Sequence, residues 1–242
     1  MSAPIATLEE RVTQQGAHER AVRTMFDRIA PTYDLLNRVM SMGIDTRWRK
    51  RAIDALRSAP RGPILDLCAG TMDLTALLTR AFPIERVVAC DFAAQMLEAG
   101  RAKAPRAEVV VGDALALPFA DGEFAAVISG FGVRNLADTA RGVSEVRRVL
   151  RPGGHFVTLD FFRPDAARSR LFHEIYARRV LPAVGGLISG DREAYDYLAR
   201  SMEGFLTRVA YERLLAASGF GDVWGADLTL GIASIVSSEV PS

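Results

Sequence analysis

The stretch Ile64-Leu65-Asp66-Leu67-Cys68-Ala69-Gly70-Thr71-Met72-Asp73-Leu74 decides the fold of this chain. An apolar run of strand length passes into small residues and then into a helical pattern. A second apolar run, Val87-Val88-Ala89-Cys90, follows and ends in Asp91. In a doubly wound sheet, such a turn lets the backbone approach a nucleoside, and the later acid takes the ribose hydroxyls. The stretch therefore predicts an α/β fold that binds a nucleoside cofactor.

Strand and helix patterns alternate from residue 64 almost to the end of the chain. After the strand at 64–67, strands are predicted at 87–90, 109–111, 124–129 and 155–160, and helices at 73–81, 94–101, 136–150 and 209–218. Alternation of this kind implies right-handed crossovers and a parallel sheet. Two adjacent strands, near 222–228 and 233–237, favour a final hairpin. We predict a doubly wound, Rossmann-like sheet that is mostly parallel, with one antiparallel strand near the C-terminus.

The length and composition favour one domain over residues 1–242. A chain of 242 residues with 49% hydrophobic content can bury a full core. Residues 1–60 have helical spacing that Pro31 interrupts, which predicts an N-terminal helical arm. Residues 163–204 break the alternation with a mostly helical stretch rich in aromatic side chains. We predict that this stretch is a lid-like insertion.

Charge, cysteine usage and the N-terminus exclude several classes of protein. A net charge of +1 gives no basis for nucleic-acid binding. Residues 1–11 lack the apolar core of a signal peptide. Cys68 and Cys90 have no metal-type spacing, so we expect buried thiols and no metal site. These features predict a cytoplasmic protein and leave its oligomeric state open.

The turn after the first strand discriminates between cofactors. A dinucleotide places its diphosphate almost on the backbone at this point and needs glycines there. Met72 would put a long side chain into that space, and Asp73 would add a like charge. S-adenosylmethionine carries a sulfonium cation and no phosphate, so acids near the turn are tolerable. We therefore predict S-adenosylmethionine rather than NAD.

The remaining cofactor contacts are predicted at the ends of the second and third strands. Asp91 suits the ribose hydroxyls, and Phe92 beside it could flank the adenine. Asp113 is placed to accept from the adenine amino group, with Ala114 under the ring. The alternative is that both aspartates only cap helices, a position that suits aspartate well. The predicted cofactor-binding residues are Asp66, Gly70, Thr71, Asp91, Phe92, Asp113 and Ala114.

With these residues established, the chain resembles the ubiquinone/menaquinone biosynthesis methyltransferases over nearly its whole length. Residues 26–37, FDRIAPTYDLLN, resemble the N-terminal signature of that family, and Trp48-Arg49 follows as it does there. Residues 130–135, GFGVRN, resemble its second signature. Residues 150–154, LRPGG, are shared by many methyltransferases and are less diagnostic.

The resemblance implies methylation of a ring carbon of a prenylated quinol, with a benzoquinol or a naphthoquinol as substrate. It places Arg134 and Asn135 at the reaction site. A fixed cation next to a phenol lowers the phenol's pKa and so favours the nucleophilic phenolate. Asn135 could position the substrate oxygen. His173 is a candidate proton relay, although a surface position is the favoured interpretation.

An isoprenoid tail and a membrane surface are further implied partners. Phe161 and Phe162, together with aromatic and aliphatic residues of the insertion, could cover the tail, or they could form an ordinary core. The run Trp48-Arg49-Lys50-Arg51 could contact anionic lipid at the inner membrane face, although a solvated helix face is favoured.

Three other functions compete with this interpretation. The first is a methyltransferase of the same fold that acts on a phospholipid amine or a natural-product phenol, which fold alone does not exclude. The second is an inactive binding or assembly protein, with Met72 as the lesion. The third is a nicotinamide oxidoreductase, which the chemistry of the turn disfavours.

Overall fold

The computed structural model describes residues 24, 25, 27, 28, 38, 41, 43–164 and 200–242, and strands and helices alternate along them as predicted. The strands of these residues are β1 (Ile64–Leu67), β2 (Val87–Asp91), β3 (Glu108–Val111), β4 (Phe124–Gly130), β5 (Leu150–Asp160), β6 (Gly221–Leu228) and β7 (Ala233–Glu239). The α-helices are α1 (Asp45–Asp54), α2 (Asp73–Ala81), α3 (Ala94–Gly100), α4 (Thr139–Val149) and α5 (Arg208–Ala217).

The seven strands form one sheet in the order β3-β2-β1-β4-β5-β7-β6. The pairs among β1 to β5 are parallel, whereas β7 is antiparallel to both β5 and β6. This confirms the prediction of a mostly parallel, doubly wound sheet with one antiparallel strand. The strand order reverses between β1 and β4, where a doubly wound sheet opens its ligand crevice.

Alternate residues of the strands pack against helices on opposite faces of the sheet. On one face Leu65, Val88 and Phe156 pack in a cluster with residues of α4 and α5. On the other face Ile64 and Val157 pack in a cluster with residues of α1 and α2. Since both faces are covered, every residue of β1 and β2 is buried, and so is every residue of β4 except Gly130.

Helix α1 lies within the predicted N-terminal helical arm and begins at Asp45. The Asp45 carboxylate accepts hydrogen bonds from the Ser41 hydroxyl (2.8 Å) and from Arg49 Nε (3.3 Å), which stabilises the first turn. Trp48 and Arg49 are buried, so the prediction that the run 48–51 forms one solvated or lipid-contacting face is wrong for these two residues. Lys50 and Arg51 are exposed.

Strand β5 begins earlier than predicted, because it includes the turn at residues 151–154. Gly153 has a φ of +72°, and its N–H donates to the Val240 carbonyl at 2.8 Å. The Val240 N–H returns a bond of 2.8 Å to the Gly154 carbonyl. Val240, directly after β7, therefore pairs with the turn residues Gly153 and Gly154. Most of the predicted arm and insertion, including His173, lies outside the described residues.

Candidate functional site

A cleft opens at the carboxyl ends of β1, β2 and β4, at the point where the strand order reverses. It encloses about 770 Å³, its open mouth included. Its walls come from the segments that follow four strands, and the lining residues used below are Cys68, Gly70, Cys90, Asp91, Phe92, Asp113, Ala114, Phe131, Gly132 and Asn135. This place in a doubly wound sheet, outside the carboxyl ends of the strands, is where small molecules and cofactors bind.

The turn after β1 has an unusual backbone. Cys68, Gly70 and Met72 all have left-handed φ angles, of 58°, 51° and 61°. Across the cleft Phe131 also has a positive φ, of 64°. Left-handed conformations of residues other than glycine cost on the order of 1–2 kcal/mol each. Strain of this kind concentrates where a ligand requires a particular backbone shape.

Met72 does not enter the cleft, contrary to the prediction from the sequence. Its side chain is fully buried and packs with Ala76, Ala89, Leu97 and Ala104. The left-handed backbone at Met72 accompanies a side chain that lies between the sheet and helices α2 and α3. Steric exclusion of a diphosphate by Met72 is therefore not supported, and neither is Met72 as a lesion of the site.

Asp91 connects the turns that follow β1 and β2. Its carboxylate accepts from Gly70 N at 2.9 Å and from Ala93 N at 2.8 Å. Burial raises the pKa of Asp91 to about 6, although these backbone hydrogen bonds oppose the rise. A carboxylate has about four acceptor positions, and the backbone hydrogen bonds of Gly70, Ala93 and Phe92 leave one for a hydroxyl donor of a ligand. Asp91 is thus placed in the cleft as predicted.

Two of the predicted cofactor residues lie behind the cleft wall. The Asp66 carboxylate is buried and accepts from the Thr75 hydroxyl at 2.5 Å, while its Oδ1 has no hydrogen-bond partner. Burial raises the pKa of Asp66 to about 7. Thr71 is also buried, and neither residue contributes to the cleft lining. Gly70, which lies between them along the chain, does line the cleft.

Phe92, Asp113 and Ala114 line the opposite wall, where the sequence places the adenine. Asp113 Oδ1 accepts from Leu115 N at 2.8 Å, which orders the turn after β3. The carboxylate is therefore partly used as a turn cap, as the alternative interpretation held, while it still borders the cleft. Ala114 is buried.

Both cysteines border the cleft, and Cys90 also belongs to the buried core cluster that contains Leu65 and Val88. Cys68 is half-buried and Cys90 is buried, and both thiols are free. Burial raises the pKa of Cys90 to about 12 and that of Cys68 well above its usual range, so both thiols stay protonated. Among residues 43–164 and 200–242, no cluster of three or more His, Cys, Asp or Glu side chains could hold a metal ion.

Arg134 and Asn135 form a single 3₁₀ turn with Val133, directly after the cleft residues Phe131 and Gly132. Asn135 lines the cleft, and its Nδ2 donates to the Phe131 carbonyl at 3.3 Å. Arg134 lies on the other side of this turn, where it lines a second, shallower groove next to α4 and α5. The turn therefore borders both the cleft and the groove, and Leu136 directly after it lines both.

The charge of the cleft fits a cationic cofactor. Among the described residues, those that line the cleft and carry charge are Asp91 and Asp113, and none is a lysine or arginine. A diphosphate would meet only like charge there, whereas a sulfonium would be stabilised. At Gly132 the backbone lies close to the turn after β1, because a Cβ on Gly132 would lie 2.3 Å from Cys68 Cβ. The acids, rather than Met72, are what disfavour NAD.

Comparisons with known proteins agree with this geometry. Residues 14–238 match the model of the ubiE/COQ5 methyltransferase family. The chain belongs to that family.

Two relatives and one solved structure illustrate the similarity. A demethylmenaquinone methyltransferase of Thermus thermophilus is 47% identical over 90% of this chain and 100% of its own length. A ubiquinone/menaquinone biosynthesis C-methyltransferase UbiE of Geobacter sulfurreducens is 41% identical over 95% of this chain and 91% of its own. An S-adenosylmethionine-dependent methyltransferase of Thermotoga maritima shares the fold, with a TM-score of 0.63, 17% identity and coverage of 89% and 98%.

The methyltransferase contains site residues that the sequence alone did not reveal. Asp160, at the end of β5, forms an ion pair of 2.8 Å with Arg134 and is fully buried. Asp27, from the N-terminal segment, acts electrostatically on Asp91 and raises its pKa slightly. Arg49 lies 5.3 Å from the ring centre of Phe131, the cleft residue. Each contact joins segments far apart along the chain, so no local motif signals it.

Proposed function

We propose that this member of the family transfers a methyl group from S-adenosylmethionine to a ring carbon of a prenylated quinol in respiratory quinone biosynthesis. One observation carries the proposal: an acid-lined cleft and a groove with aliphatic lining residues both border the Arg134–Asn135 turn, and Leu136 lines both. A cationic methyl donor and a hydrophobic acceptor can therefore meet at one turn. The relatives are named demethylmenaquinone methyltransferase and ubiquinone/menaquinone biosynthesis C-methyltransferase UbiE, and these names favour this class of acceptor.

The cleft residues have complementary roles in holding the donor. Asp91 would accept from the ribose hydroxyls, and the Asp113 carboxylate would accept from the adenine amino group. Phe92 and Ala114 supply apolar surface for the adenine ring. Asp66 contributes from behind the turn by holding Thr75 at the start of α2.

Two residues would act on the acceptor. Bound S-adenosylmethionine supplies the methyl group: the ring carbon bonds to it as the carbon–sulfur bond breaks, the electron pair stays on sulfur, and the ring releases one proton. Arg134 would stabilise negative charge on the phenolic oxygen, which makes the ring carbon electron-rich. Because arginine is not deprotonated in proteins, it does not take the proton itself, and we assign the proton to water. Asn135 would hold the acceptor in line with the methyl group.

The apolar wall of the groove offers a course for the isoprenoid tail. Leu136, Leu206 and Leu214, all half-buried, contribute to this wall. Phe161 and Phe162 are 7% and 3% exposed and pack in the two core clusters, so they do not offer the tail surface expected from the sequence. The groove beside Arg134 replaces them in the proposal.

We also propose a peripheral contact with the inner membrane face, where a prenylated quinol would reside. Leu230 is 76% exposed at the β6–β7 turn, on the same edge of the sheet as the cleft. Trp48 Nε1 donates to Thr229 Oγ1 at 2.9 Å and so connects α1 to this turn. Lys50 and Arg51 of α1 are exposed cations that suit anionic lipid. No helix among the described residues is long and apolar enough to cross a membrane.

The test is a methyl-transfer assay with labelled S-adenosylmethionine. Reduced demethylmenaquinone and a reduced benzoquinol precursor are the two acceptors, and a phospholipid amine is the comparison acceptor. We expect label in one or both quinols and none in the amine. Cofactor binding by calorimetry separates the two parts of the proposal: binding without transfer to either quinol would refute the acceptor, and absence of binding would refute the methyltransferase assignment.

A further inference from the structure

Asp160 makes more contacts with Arg134 than an ordinary ion pair requires. Its Oδ1 accepts from Arg134 Nη1 at 2.8 Å and from Phe161 N at 2.8 Å. Its Oδ2 accepts from the backbone N–H of Arg134 at 3.1 Å. One fully buried carboxylate therefore holds both the main chain and the side chain of Arg134. The last residue of β5 thus determines the position of the turn that follows β4.

The guanidinium of Arg134 is confined on its remaining sides as well. Nη1 also donates to the Phe131 carbonyl, and the guanidinium carbon lies 5.4 Å from the ring centre of Phe161. The side chain is only 5% exposed. Among the residues that the structure describes, Arg134 Nε is buried without a hydrogen-bond partner. A buried donor without a partner is unfavourable, so an acceptor oxygen from a ligand would be stabilised there.

We propose that Asp160 is a positioning residue for the methyl-transfer reaction: it fixes Arg134 so that the Nε edge of the guanidinium faces the oxygen of the acceptor. This inference rests on the proposed function, because it assumes that Arg134 acts on a phenolic oxygen. The planar guanidinium has donors in a rigid fork, so binding Nη1 on one side determines which donor stays available. Without the carboxylate, the contacts left to the guanidinium among the described residues are the Phe131 carbonyl and the Phe161 ring face.

The experiment is a double-mutant cycle on Arg134→Gln and Asp160→Asn, measured as kcat with the better quinol. Misplacement of a positioning contact by about 1 Å costs on the order of 100-fold. We expect each single variant to lose roughly 100-fold in kcat. In the Arg134→Gln background, we expect the Asp160 change to lower kcat by less than about 3-fold, because its effect passes through Arg134. Losses that multiply in the double variant would overturn the inference, as would wild-type kcat in Asp160→Asn.

Two further variants exclude a general loss of structure. Asp160→Glu keeps a carboxylate and should recover activity to within about 10-fold of the wild type, a size typical of a shifted supporting contact. Asp138→Asn is the matched control, because Asp138 Oδ1 accepts from the backbone N–H of Arg141 at the start of α4, whereas the carboxylate paired with Arg134 is that of Asp160. This variant should keep wild-type kcat. Calorimetry with S-adenosylmethionine should give Kd values within about 3-fold of wild type for all variants.

A readout independent of activity distinguishes this inference from the proposed function. The Nε–H proton of a held arginine gives a resolved, slowly exchanging NMR signal, assigned here by its loss in Arg134→Gln. We expect that signal to exchange rapidly in Asp160→Asn. An unchanged signal would refute the positioning role even if no quinol is methylated. If Asp160→Asn does not fold, the double variant lacks the unpaired buried charge, and Asp160→Glu gives the signal for comparison.

Discussion

The raised pKa of Asp91 predicts that cofactor affinity falls in mild acid. Ribose hydroxyls donate to a carboxylate, and protonation removes an acceptor position and the negative charge. With a pKa of about 6 in the free protein, the fraction of ionised Asp91 falls from about nine-tenths at pH 7 to about one-tenth at pH 5. If binding requires the carboxylate, Kd should rise ~10-fold over this range, equivalent to about 1.4 kcal/mol.

Calorimetry with S-adenosylmethionine at half-unit intervals between pH 5 and pH 7 measures this effect directly. At pH 6 the reaction should also release about half a proton, which appears as a dependence of the measured heat on the ionisation enthalpy of the buffer. Asp91→Asn should bind more weakly at pH 7 and show a flat pH profile. A wild-type Kd that is constant over the range would refute the argument, and so would a persistent slope in Asp91→Asn.

Asp66 offers the internal control for this assignment. Its pKa of about 7 lies a full unit above that of Asp91, so a slope caused by Asp66 would have its midpoint near pH 7. Asp66→Asn should leave the slope between pH 5 and pH 6.5 in place. Loss of that slope in Asp66→Asn would show that Asp66, rather than Asp91, causes the pH dependence of Kd.

Three further changes test other parts of the site. Gly132→Ala should destabilise the fold by about 1–3 kcal/mol and weaken cofactor binding, since its Cβ would lie 2.3 Å from Cys68 Cβ. Gly204 faces open space, so Gly204→Ala should neither destabilise the fold nor weaken cofactor binding. Equal urea midpoints for the two variants would contradict this prediction. Met72→Ala should lower the free energy of unfolding by about 2–4 kcal/mol and leave Kd for S-adenosylmethionine within about 2-fold, and a large change in Kd would return Met72 to the cleft. The pKa of Asp66 is raised above its ordinary value of 3.8, so the stability that its protonated form contributes is full below about pH 4 and is lost as pH rises through about 7. Relative to the wild type, Asp66→Asn should therefore gain about 2 kcal/mol in unfolding free energy between pH 5.5 and pH 8.5. Parallel stability profiles of the two proteins would refute the raised pKa.

The strands were predictable because each depends on a local pattern, and their alternation with helices predicted the mostly parallel sheet. Leu65 and Leu67 lie in a short apolar run bounded by Pro63 and Gly70, and such a run has one common structural solution in an alternating chain. The end of each strand then places Asp91 and Asp113 at one edge of the sheet without further information. These features transfer directly from sequence to structure.

The direction of the Met72 side chain was not predictable in the same way. Its position in the turn is local, but the sign of its φ angle is not evident from the residue type, because left-handed conformations disfavour methionine. Only the apolar space between α2 and α3 explains the conformation, and that space exists after the helices have packed. Tertiary packing therefore overrides the local preference.

The contact between Arg134 and Asp160 depends on strand pairing and shows why the candidate site exceeds its motif. The two residues are 26 positions apart, and they meet because β4 pairs with β5 in parallel up to Gly130 and Leu159. The motif identifies the arginine, whereas the neighbouring strand supplies the carboxylate that holds it. Removing that carboxylate leaves a buried guanidinium with one carbonyl and one aromatic face, which is an arrangement with more than one accessible position. The reactivity of this site therefore depends on the pairing of β4 and β5 as much as on Arg134 itself.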